Sequence, residues 1–177
     1  MLIAVVGPSG VGKDALIAGA KAALSGDPDF VFPLREITRP AGAPGETFVA
    51  VDEATFEARR RAGGYALAWR AHGLAYGVPT SAAREARAGK RVVVNVSRSV
   101  LAEVRAGFPV RRIVLVTAAR ETVERRLRAR GRETEAQIAE RLSGFDGGDV
   151  TGDDVVVVRN DGALEAGVAA FLAAIRA

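Results

Sequence analysis

The stretch that most constrains this chain is Gly7-Pro8-Ser9-Gly10-Val11-Gly12-Lys13-Asp14. An apolar run from Leu2 to Val6 precedes it and reads as a buried parallel strand; Ala15 to Leu24 follows and reads as a helix. Strand, glycine loop and helix in that order form the setting of a phosphate-binding loop. Gly7, Gly10 and Gly12 allow the backbone N–H groups to turn inward with no Cβ in the way. The helix N-terminus adds partial positive charge where phosphates would sit, and Lys13 would reach the outer ones. Such loops end in Ser or Thr, whose hydroxyl ligates Mg²⁺. Here the residue is Asp14, which also offers a hard oxygen ligand and is predicted to hold the metal.

The chain has 177 residues, enough for one domain with its own core. Hydrophobic residues make up 49% and aromatic ones only 6%, so that core is expected to be aliphatic. No run of eighteen apolar residues occurs, so no membrane span is expected. Met1 leads straight into the first strand without a basic n-region, and there is no cysteine. A cytoplasmic protein without disulfides fits these features. The net charge of +4 comes almost wholly from arginine. The arginines are scattered among Asp and Glu, with few aromatics for base stacking. A small phosphorylated ligand therefore fits better than nucleic acid.

After the first helix, Phe30 to Ile37 reads as one strand and Ala41 to Gly45 as a loop. Phe48 to Val51 is a short strand, and Asp52 caps a helix to about Ala62. Tyr65 to Arg70 alternates as a strand, turned at His72-Gly73 into Leu74-Ala75-Tyr76. Helices are predicted from Pro79 to Ala88, from a Ser97 or Ser99 cap to Ala106, from Glu121 to Arg130, from a Thr134 cap onward, and from Asp161 to the end. Strands are predicted at Arg91–Val96, Arg112–Thr117 and Val155–Val158, with a loop from Gly144 to Gly152. This alternation implies an α/β fold with a parallel sheet covered on both faces. The core is expected at about 1–38 and 77–177, an inserted lobe at about 39–76, and a helical lid at about 121–144.

Several side chains are placed to carry chemistry. Arg35 and Arg39 flank a strand end beside the 41–45 loop. Tyr76-Gly77 follows His72-Gly73, and His72, the only histidine, reads more readily as a turn residue than as a catalyst. Asn95-Val96-Ser97-Arg98 lies at the carboxyl end of a buried strand, the edge where open α/β sheets bind ligands. That strand end supplies no acidic residue, so the metal-organising carboxylate is inferred to be Asp14. Arg126 and Arg130 share a helical face and Arg141 lies on the next helix. Two arginine-bearing helices around Gly131 would close over a transferring phosphoryl group and exclude water.

The glycine loop, Ile37-Thr38-Arg39, the His72-Gly73 to Tyr76-Gly77 turn, the three arginines and Asn160-Asp161 together resemble guanylate kinase over most of the chain. The resemblance implies a three-layer P-loop kinase fold with a small acceptor-binding lobe and a helical lid. It assigns the acceptor phosphate to Arg39 and Tyr76, the lid to Arg126, Arg130 and Arg141, and the neighbourhood of adenine to Asn160. Leu67 stands where guanylate kinases carry a guanine-reading glutamate, and the stretch from Pro40 to Pro44 lacks their second phosphate-binding arginine. The chain more closely resembles the ribose 1,5-bisphosphate phosphokinase family of phosphonate catabolism. That likeness rests on the loop ending in Asp14, on Trp69-Arg70-Ala71-His72-Gly73, on Asn95-x-Ser97-Arg98 and on Arg130-Gly131-Arg132-Glu133. It implies ATP and Mg²⁺ as cofactors and a sugar bisphosphate as acceptor, with Arg35, Arg39, Arg70, His72 and Arg98 as cationic donors beside Tyr76, Asn95 and Ser97. It implies no nucleic-acid or membrane partner, and a homodimer is compatible with it. Two rival readings are a nucleoside monophosphate kinase of other base preference and a non-catalytic guanylate-kinase-like binding module.

Overall fold

The apolar strand that opens the chain, β1 (Leu2–Val6), is wholly buried at the centre of a five-stranded parallel sheet. In the computed structural model, residues 1–42, 46–131, 134–143 and 150–177 are described, the side chains of Arg130, Glu140, Arg141 and Ser143 excepted. The sheet's other strands are β2 (Phe30–Val31), β7 (Arg91–Asn95), β8 (Arg111–Thr117) and β9 (Val155–Arg159), in the order β2-β7-β1-β8-β9. Asn95 is in register with Val5, at the carboxyl ends of their strands. From β1 the chain runs out to the β2 edge, returns through β7, then crosses to β8 and β9. The strand order therefore reverses beside β1, and ligands of open sheets bind in the crevice at such a point.

Alternate residues of β1 feed two cores. Ile3 and Val5 pack with Leu16 and Ala20 of α1 (Lys13–Ala23) and with Phe171 and Ile175 of α7 (Leu164–Arg176). Val123 and Leu127 of α5 (Arg120–Arg130) and Ile138 and Leu142 of α6 (Glu135–Ser143) join the same core. Leu2, Ala4 and Val6 face Ala82 and Ala83 of α3 (Thr80–Arg87) and Leu101 and Val104 of α4 (Leu101–Gly107). Burying each of these larger aliphatic side chains contributes about 1.5–3 kcal/mol. Gly131, at φ 61°, takes the left-handed conformation that ends α5.

A second sheet, β4-β3-β6-β5, packs Leu67 and Trp69 onto the Leu2, Ala4 and Val6 face. Its strands are β3 (Glu36–Ile37), β4 (Val49–Ala50), β5 (Tyr65–Ala71) and β6 (Leu74–Pro79). The single strand expected from Phe30 to Ile37 is in fact two, in different sheets. β2 pairs with β7, whereas β3 pairs with β4 and β6. Pro33 between them has no N–H to give a ladder and breaks the run. Between the lobe's strands lies α2 (Glu53–Arg61), whose Asp52 cap accepts the Thr55 N–H as expected.

Candidate active site

The loop after β1 is shaped by its glycines. Gly7, Gly10 and Gly12 have φ of 146°, 86° and 95°. A Cβ at Gly7 would stand 2.2 Å from the Val116 carbonyl oxygen, and one at Gly10 would stand 2.8 Å from Val123 of α5. The loop is therefore clamped between β8 and α5. Val11 is fully buried and its carbonyl accepts the Asn160 Nδ2 at 2.7 Å. Lys13 folds back over the loop, its Nζ donating to the carbonyls of Gly7 and Pro8 at 2.8 Å each. Burial pushes the Lys13 ammonium down to about 8, with Arg35 and Arg98 adding repulsion and Asp14 opposing.

That depression has a kinetic sign. Lys13 holds its proton below about 8 and loses it as pH rises through that value, so the charged form disappears on the alkaline side. Bound phosphates favour the charged form and move the group back up. We expect kcat/KM for ATP to fall with an alkaline limb near pH 8, and the limb of kcat itself to lie higher. Superimposable limbs in the two profiles would contradict this role for Lys13.

Asp14 is exposed at the start of α1 and accepts the Asn95 Nδ2 at 2.9 Å. The two residues singled out separately in the sequence thus meet across the crevice. Among the described residues no group of three His, Cys, Asp or Glu gathers as a ready-made metal site. A cleft of about 460 Å³ opens from this pair along α1 to Lys21. Arg35 and Glu46 also line it. Arg35 is 7% exposed, and its Nε and Nη2 donate side by side to the two Glu46 carboxylate oxygens. The guanidinium also lies 5.7 Å from the Trp69 ring centre and 5.4 Å from that of Tyr76; these rings stack on each other. Burial raises the Tyr76 hydroxyl pKa. Arg39 lies 5.7 Å from the Phe48 ring. Arg98 follows Ser97 in a short 3-10 turn, close enough to Lys13 to act on its charge.

Other expected site residues are placed elsewhere. Arg70 is bound to Glu53 and Glu57 of α2, because strand alternation puts Trp69 inward and Arg70 outward. His72 sits on the exposed hairpin tip with φ 51°, followed by Gly73 at φ 73°, so its backbone makes the turn. Ser97 accepts the Ser99 N–H at 3.2 Å and caps the 3-10 turn. Asn160 is 3% exposed and turned beneath the loop onto Val11, so its amide is not presented outward to a base. Arg126 donates to the carbonyls of Asn160 and Gly162 at 2.7 and 3.2 Å. Arg130 ends α5 and Arg141 lies in α6; their side chains are outside the described residues, as are Arg132 and Glu133 and most of the 144–152 loop. Glu46 was not among the residues expected from sequence, although it is the only acidic residue between Arg39 and Asp52.

The guanylate kinase family model matches residues 1–166. The chain is 46% identical over 172 residues to a bifunctional ribose 1,5-bisphosphokinase-thymidine phosphorylase of Cupriavidus necator, covering 97% of this chain but only 28% of that protein. It is 44% identical over 176 residues to a ribose 1,5-bisphosphate phosphokinase of Methylobacterium radiotolerans, covering 99% of this chain and 97% of the relative. Among solved structures, a guanylate kinase from Anaplasma phagocytophilum superposes with a TM-score of 0.63 at 17% identity, over 99% of this chain and 84% of that one. The chain belongs to the guanylate kinase family and groups there with the ribose 1,5-bisphosphate phosphokinases.

Proposed function

We propose that the protein transfers the γ-phosphoryl group of ATP to the 1-phosphate of ribose 1,5-bisphosphate, giving ADP and 5-phosphoribosyl 1-diphosphate. The observation that carries the reading is Leu67. At the position where a guanylate kinase would read guanine, this side chain is 2% exposed and packed into the core, so it offers nothing to a base. The cleft instead runs from Asp14 to Lys21, seven residues of α1 and so about 10 Å. A sugar with phosphates at both ends suits a cleft of that length with charged side chains at Asp14, Lys21 and Arg35. The names of the full-length relatives point the same way.

In this reading a 1-phosphate oxygen attacks the γ-phosphorus while the bond to the β,γ-bridging oxygen breaks and ADP leaves. The attacking oxygen is already ionised at neutral pH, so no side chain has to remove a proton. The chain's work is positioning and charge compensation. The loop N–H groups and Lys13 hold the ATP phosphates. Arg39, Tyr76 and Arg98 hold the acceptor phosphate, and the second sheet is the acceptor lobe. Arg126, Arg130 and Arg141 belong to the α5–α6 lid. Asp14 fits Mg²⁺, which keeps several waters and binds through one or two carboxylates plus substrate phosphates. When bound, the metal neutralises phosphate charge. ADP release measured with ribose 1,5-bisphosphate, GMP and AMP in turn tests the proposal. Turnover is expected with the sugar bisphosphate, with GMP and AMP poor; efficient turnover of GMP alone would overturn it.

A further inference from the structure

Two carboxylates line the cleft, Asp14 and Glu46. Asp14 faces the phosphate loop and pairs with Asn95. Glu46 lines the cleft as well, paired with the buried Arg35. A carboxylate only accepts hydrogen bonds. Beside a ligand bearing two phosphates it is repulsive wherever it faces a phosphate, and tolerable only where it faces the uncharged part. In a ribose bisphosphate that part is the ring with its 2- and 3-hydroxyls, which are donors.

The geometry suits such a contact. Arg35 engages Glu46 side-on through Nε and Nη2, which leaves each carboxylate oxygen a free lone pair. Arg35 is itself fixed over the Trp69 and Tyr76 rings, so Glu46 is held in place rather than swinging on a loop. Its charge is offset by Arg35, which lessens its repulsion of the phosphates. The Glu46 side chain keeps 19% exposure, so the carboxylate is not sealed away by the ion pair. Carboxylates take ribose hydroxyls in this manner in dinucleotide-binding folds. Resting on the acceptor proposed above, we infer that Glu46, oriented by Arg35, is the specificity residue that reads the ribose hydroxyls of the acceptor.

The test compares ribose 1,5-bisphosphate with 2-deoxyribose 1,5-bisphosphate on the wild type, Glu46→Gln and Glu46→Ala. The readout is the ratio of the two kcat/KM values on one preparation. That ratio is independent of the fraction of folded enzyme, so a merely structural role for Glu46 would leave it unmoved. The wild type should prefer the ribose compound by about 10–100-fold, the range of a hydrogen bond to a charged group. The preference should fall severalfold in Glu46→Gln and nearly vanish in Glu46→Ala. A wild-type ratio near one, or a ratio unchanged in both variants, overturns the role of Glu46 while leaving the acceptor intact. A wild type inactive with both sugars overturns the acceptor assignment itself, and the Glu46 role with it.

Discussion

Lys13→Ala is expected to lower kcat by about 10²–10³-fold without unfolding the protein. The magnitude is that of removing one preorganised donor from a site where charge shifts during reaction. Among the described residues, Lys13 Nζ binds the loop's own Gly7 and Pro8 carbonyls. Those contacts keep the ammonium at the loop until a phosphate arrives, and they exchange readily for stronger charged ones. The loop does not depend on them for its shape. Gly7 is fixed against Val116, Gly10 against Val123, and Val11 through Asn160. The variant should therefore melt close to the wild type, as the loss of a desolvated cation costs the fold little. A folded variant with unchanged turnover would remove the P-loop from the chemistry.

Asp14→Asn should weaken Mg²⁺ activation and turnover together, by about 10–100-fold in the metal requirement. A bare carboxylate next to ATP phosphates is unfavourable: two unit charges ~4 Å apart repel by roughly 4 kcal/mol at an effective dielectric of 20. A Mg²⁺ ion held by Asp14 would offset that repulsion. Asn95 is neutral and already donates to Asp14, so it would orient the carboxylate and could not replace it as a metal ligand. Asp14→Ser should recover part of the activity, since a hydroxyl is the usual ligand at that place in the loop. If Asp14 served only the helix N-terminus, worth about 0.3–1 kcal/mol, Asp14→Asn would leave the Mg²⁺ titration where it was.

The features legible in the sequence were those governed by local rules. The loop glycines, the buried run of β1 and the Asp52 cap each follow from spacing and residue type, and each is found where expected. The run from Phe30 to Ile37 was harder because its two strands, β2 and β3, are two residues long and belong to different sheets, with Pro33 between them. Side-chain direction was the second difficulty. Arg70 carries a charge suited to the site, yet alternation in β5 aims it at Glu53 and Glu57, four residues apart on α2. Asn160 lies at a strand end near the loop, but its amide is turned inward, with Nδ2 on the Val11 carbonyl. Glu46 carries no local sequence signal, because its pairing with Arg35 joins residues eleven apart in the chain.

The most direct measurement of the central claim is a competition. Equimolar GMP and ribose 1,5-bisphosphate are mixed with limiting ATP and Mg²⁺, and the products are read by ³¹P NMR. A buried Leu67 at the base-reading position predicts that the new diphosphate forms on the sugar while GMP stays unchanged. Conversion of GMP to GDP with the sugar bisphosphate untouched would contradict the account.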